Sequence, residues 1–245
     1  MTVDVLEAAR TVMSRRYPDA AVGFAAGSLI RGEGTAYSDL DLVVVYPALP
    51  AAYRESFRFD ELPVEVFVHD PETLEYFFVE LDAASGVPAL PQMVVEGREV
   101  PAANDLSRHL KARAAAVISA GPPPLDIDTE RRRRYHLTDL LDDLRGWRSV
   151  DELMACGARL FEELADYHLR VRGHWSATGK GIPVALRRAD AALCARYCAS
   201  FDSLFRSNDV DPVVHLAEEL LQPSGGLLFE GYRSDAPARW RTALE

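Results

Sequence analysis

Residues 39–46 read D-L-D-L-V-V-V-Y, and this stretch limits the fold more than any other in the chain. Val43 to Val45 are β-branched and Pro47 bounds the run, so Asp39 to Tyr46 is expected to form a buried strand. Side chains alternate along a strand, which puts Asp39 and Asp41 on one face and Leu40 and Leu42 on the other. Two carboxylates held that close repel each other unless a cation lies between them. Magnesium prefers a few carboxylates, water and substrate phosphates, so the pair is a candidate magnesium site.

Upstream, Ala21 to Ala26 reads as a first strand that ends at Gly27-Ser28, with ten residues between Ser28 and Asp39. A glycine lets backbone N–H groups turn toward a phosphate, and the serine hydroxyl adds a donor. Arg31, three residues on, is placed to reach a nucleotide phosphate. Downstream, Leu62 to His69 reads L-P-V-E-V-F-V-H, a second β-rich run with Glu65 as the charge between Val64 and Val66. A carboxylate inside an apolar strand must be paired, metal-bound or protonated.

Gly27-Ser28, the ten-residue spacer, Asp39-x-Asp41 and the later strand acid Glu65 resemble the signature of nucleotidyltransferases of the DNA polymerase β superfamily, over about the first hundred residues. The resemblance implies Asp39, Asp41 and Glu65 as catalytic and metal residues with two magnesium ions. It implies Gly27, Ser28 and Arg31 as nucleotide-binding residues, and ATP as co-substrate. Glu65 is expected either to complete the metal site or to act as general base.

The 245 residues, 48% hydrophobic and 27% charged, have the composition of a soluble globular protein. No apolar run approaches membrane length and the N-terminus lacks a signal-peptide layout, so a cytoplasmic protein is expected. Cys156, Cys194 and Cys198 lack zinc spacing and are expected to be reduced thiols in helices. Net charge is −11, with 18 acids against 10 bases in residues 1–120 and 20 against 17 in residues 121–245. That balance disfavours a broad nucleic-acid surface, and with it a polymerase or tRNA modifier, and suits a cationic partner.

Apolar spacing predicts a first helix over Val3 to Tyr17, a capped helix start at Asp70-Pro71 and a helix over Ala103 to Ser119. Ala120-Gly121-Pro122-Pro123-Pro124 then breaks the chain into domains 1–120 and 126–245. The second reads as helix throughout: Asp128 to Trp147, Val150 to Arg172, Val184 to Phe205 and Pro212 to Leu221. The expected fold is thus α/β (α+β), a small mixed sheet with helices followed by an all-α helical bundle.

Two features of the helical half are candidates for chemistry. Asp139, Asp142 and Asp143 form an acidic face at i, i+3 and i+4, beside core candidates Leu137, Leu140, Leu141 and Leu144. Lys180 sits between Gly179 and Gly181 in a chain with two lysines, Lys111 and Lys180, among 27 basic residues. A P-loop is excluded, because five residues separate Gly173 from Gly179 and Gly181 stands where the metal-binding Ser/Thr belongs. The layout is similar to two-domain antibiotic nucleotidyltransferases of the aminoglycoside and lincosamide type. That similarity implies Lys180 as a phosphate ligand, an active site in the cleft between the halves, and transfer of AMP to a hydroxyl of a small molecule. An acidic acceptor-binding face at Asp139, Asp142 and Asp143 would suit an aminoglycoside. The competing expectation is an antitoxin-like or regulatory nucleotidyltransferase module that modifies or binds a protein partner.

Overall fold

The computed structural model describes residues 4–241. The chain divides into two compact units, Met1–Pro123 and Pro124–Glu245, with the break inside the triple proline.

In the first unit, α1 (Val5–Arg16) starts at Asp4, whose carboxylate accepts from the N–H groups of Leu6 and Glu7 at 3.1 and 3.2 Å. Val3, where the sequence places the helix start, lies outside the described residues. There follow β1 (Val22–Ala26), α2 (Gly27–Arg31), β2 (Leu40–Val45), β3 (Tyr53–Phe59) and β4 (Leu62–His69). Next come α3 (Pro71–Tyr76), a π-helical turn (Phe77–Leu81), α4 (Asp82–Ser85), α5 (Ala89–Glu96), β5 (Arg98–Val100) and α6 (Asp105–Ala120). The five strands form one mixed sheet in the order β3-β4-β2-β1-β5, in which only the β2–β4 pair is parallel.

Leu40, Leu42 and Val44 of β2 and Val64, Val66 and Val68 of β4 pack against Ala9, Val12, Met13 and Tyr17 of the first helix and its C-cap. Burial of this face drives α1 onto the sheet, at roughly 1.5–3 kcal/mol per large aliphatic side chain. It also fixes the register, because a slip of one residue would turn the carboxylates in under α1.

The second unit contains α7 (Ile127–Arg145), α8 (Val150–Val171), α9 (Ile182–Ala189), α10 (Ala191–Ser207) and α11 (Asp211–Leu221). Leu137, Leu140, Leu141 and Leu144 are buried in its core with Leu153, Leu160, Leu164, Tyr197 and Phe201, as the heptad-like spacing predicts. The helix expected over Val184 to Phe205 is instead two, broken at Asp190. That residue takes extended backbone angles, φ −156° and ψ 108°, and its carboxylate accepts from Leu193 N at 2.9 Å. An aspartate bonds its own downstream N–H more favourably as an N-cap than it fits a helix interior, and the apolar periodicity does not register such a break. Among the described residues no helix is long and apolar enough to cross a membrane.

Three elements go beyond the sequence expectation: β3, β5 and α5. Strand β3, Y-R-E-S-F-R-F, lies at the sheet edge with a polar face. Its turn to β4 is Asp60-Glu61, with Asp60 at φ 51°, and this pair lacks the glycine that marks most two-residue hairpins.

Two buried histidines make stability pH-dependent. His69 ends β4, lies within 3.3 Å of Thr73 Oγ1 and meets the Phe77 ring edge-on. Burial lowers its pKa from the ordinary 6.5 to about 4, partly opposed by the Asp70 carboxylate. His168 on α8 is likewise lowered to about 4, by burial first and then by Arg172 and His174. Between those values and 6.5 the unfolded chain binds more protons than the folded one, so stability rises with pH there. Acidification from pH 7 to pH 4.5 is expected to lower the urea midpoint, and the double variant His69→Gln/His168→Gln to flatten that dependence. Parallel slopes for parent and variant would remove the histidines from the account.

Candidate active site

The sheet register builds one transverse row of side chains. Ser56 of β3 pairs with Glu65 of β4, Glu65 with Asp41 of β2, and Asp41 with Ala26 of β1, after which Gly27 begins α2. Directly opposed residues in a sheet project from the same face, so these neighbours meet although they come from four separate stretches of sequence. This is the face opposite Leu40 and Leu42. Asp39 precedes β2, and the strand alternation puts it beside Asp41 as expected.

Asp39, Asp41 and Glu65 are each half-buried and offer carboxylate oxygens that all lie within 4.8 Å of one another. Hard oxygen donors without thiol or imidazole suit a cation of the magnesium type. The surrounding backbone is shaped to the same end. Gly27 has φ 83°, and a Cβ added there would overlap Asp41 Oδ2 and come within 3.0 Å of its Cγ. The glycine therefore permits both the left-handed turn out of β1 and the close seat of the Asp41 carboxylate. The donor set and this seat fit a divalent cation.

Ser38 organises the connecting loop. Its hydroxyl oxygen lies 3.1 Å from Ser28 Oγ, which donates to it, and accepts from Thr35 N at 2.9 Å. The loop thus folds back on Gly27-Ser28 and delivers Asp39 to the row. Arg31 closes α2, and its guanidinium is held charged by a 2.9 Å bond to Glu33 and a 3.3 Å bond to Glu96. Its use on a phosphate would require those pairs to open.

Two residues of the site were not legible as such in the sequence. Arg54 of β3 donates from Nε to Glu65 Oε1 at 2.9 Å and from Nη2 to the same oxygen, and Ser56 Oγ lies 3.4 Å from it. The alternation of Phe57 and Phe59 with Arg54, Ser56 and Arg58 is a period-2 signal that identifies this strand and its polar face.

No protein-family model matches the chain, and no curated protein matches it. Among solved structures it is similar to a nucleotidyltransferase-like protein from Exiguobacterium sibiricum 255-15, at 17% identity and a TM-score of 0.44, over 89% of this chain and 74% of that one. So distant a likeness bears on neither activity nor substrate, and the chemistry rests on the side chains.

The remaining candidates belong to the second unit. Lys180 is exposed in a short 3-10 turn, Gly179–Gly181. Asp139, Asp142 and Asp143 are exposed on α7, opposite its buried leucines. Asp142 accepts from Arg145 at 2.8 Å, and Arg145 also pairs with Glu218, so part of that acidic face is already neutralised.

Proposed function

We propose that the protein is a magnesium-dependent nucleotidyltransferase that moves AMP from ATP to a hydroxyl of a small molecule. The observation that carries this is the carboxylate row Asp39, Asp41 and Glu65 seated against the bare Cα of Gly27. Magnesium bound there would neutralise the triphosphate and favour in-line displacement. Asp39 and Asp41 hold the metal site, and Glu65 completes it with its orientation set by Arg54 and Ser56. The backbone at Gly27-Ser28 and the guanidinium of Arg31 seat the phosphates. In the reaction the acceptor oxygen forms a bond to the α-phosphorus as the bond to the bridging oxygen of pyrophosphate breaks. The acceptor proton passes to solvent.

The acceptor we propose is cationic, of the aminoglycoside type, which would make this an antibiotic-resistance activity. The net charge of −11 and the exposed Asp139, Asp142 and Asp143 support a cation over a nucleic acid. The test is pyrophosphate release from Mg-ATP in the presence of a panel of aminoglycosides and lincosamides, with mass spectrometry of the products. An AMP adduct on an aminoglycoside is the expected result. Labelling of protein alone, or no release above the Asp41→Asn background, would overturn it.

A further inference from the structure

The third carboxylate of the site already has a cation. Arg54 and Phe67 are register partners on β3 and β4, and Glu65 lies diagonally from Arg54 on the same face. The Arg54 guanidinium carbon stands 4.9 Å from the Phe67 ring centroid, and this cation–π contact braces the group against β4. From there both of its bonds, and the longer approach of Ser56, reach one oxygen, Glu65 Oε1. The Arg54 side chain is 62% exposed while that of Glu65 is 20% exposed, so the arginine can turn toward water more easily than the carboxylate can.

We propose that Arg54 is the internal counter-ion of the carboxylate row, and that it weakens the binding of a divalent cation by the protein alone. This role presupposes the metal site proposed above. Three carboxylates within 4.8 Å of one another repel, and the positive charge of Arg54 on Glu65 offsets part of that repulsion. A divalent ion entering the row meets Arg54 as a like charge and competes with it for Glu65. A triphosphate entering with the ion changes the balance, since its oxygens offer the exposed Arg54 side chain a second, bidentate partner. Arg54 thereby ties tight cation binding to the arrival of the polyanionic substrate. It is a positioning residue, acting through Glu65.

The experiment is a manganese titration of the full chain without nucleotide, following the free aquo-ion by electron paramagnetic resonance. The proteins are the parent, Arg54→Gln, Arg54→Lys and Asp41→Asn. Arg54→Gln is expected to bind manganese roughly five- to tenfold more tightly, the effect of removing one exposed unit charge near a dication in a high dielectric. Arg54→Lys keeps the charge and is expected to restore the weak parental affinity, and the gap between Gln and Lys to narrow as salt is raised. A side chain that merely braced the strand would give two variants alike. Parental or weaker binding by Arg54→Gln, with Asp41→Asn still losing the ion, overturns the counter-ion role and leaves the metal site standing. If Asp41→Asn binds manganese as the parent does, the metal site itself falls and the role of Arg54 falls with it.

Discussion

Gly27→Ala is expected to abolish manganese binding at the proposed site and to destabilise the first unit by about 1–3 kcal/mol. Two independent effects act in the same direction. At φ 83° an L side chain is strained whatever room it has. The room is also absent, because the new Cβ would stand 2.1 Å from Asp41 Oδ2. The β1–β2 ladder fixes the Asp41 backbone opposite Ala26, so the clash is relieved by turning the carboxylate out of the row. Divalent-ion binding and the thermal midpoint, measured on one preparation, check both effects. Gly32 is an internal control: its φ is 75°, yet nothing stands within 4 Å of a Cβ added there. Gly32→Ala is expected to lose stability while keeping the ion. Retained ion binding by Gly27→Ala would show that the Asp41 seat is not needed.

Asp41→Asn is expected to lower the proposed nucleotidyl transfer by at least about a thousandfold, the loss of several kcal/mol of charge stabilisation in the transition state. Its metal-free thermal midpoint is expected to stay level or rise. Asparagine keeps the shape of the side chain and removes one of three neighbouring negative charges, so repulsion within the row falls. Loss of activity together with a level or higher melting point is the signature of a site residue, whereas loss of both is that of a structural one. A variant with parental turnover would exclude Asp41 from the chemistry.

Much of this site is encoded locally. Strand alternation puts Asp39 beside Asp41, and Leu40 and Leu42 toward the core where α1 covers them. The Gly27-Ser28 turn lies at the end of β1 as its sequence indicates, and Leu62–His69 is a strand over the full predicted range. Asp70-Pro71 opens a helix as expected, with Thr73 as the capping partner of Asp70. In the second unit the leucines of α7 are core and its aspartates are surface, which follows from 3.6-residue periodicity alone. Each of these depends on residues within about one turn or one strand of each other, where side-chain direction is set by the backbone itself.

Local pattern is enough to pick out the three acids, their strands and the glycine turn. Their convergence within 4.8 Å of one another comes from the sheet pairing. Nothing in Leu62–His69 states that β4 lies parallel beside β2 with Glu65 opposite Asp41; that follows from β3 taking the sheet edge, so that its hairpin returns β4 to the interior. Nothing local shows that the edge strand brings a guanidinium to Glu65, since Arg54 in isolation is an exposed basic residue on a polar face. Cross-strand pairing is non-local: it is selected by burying the apolar side chains of both sheet faces at once, Val43, Val45 and Phe24 among them on the face of Asp41, and the carboxylates receive whatever partners that register dictates.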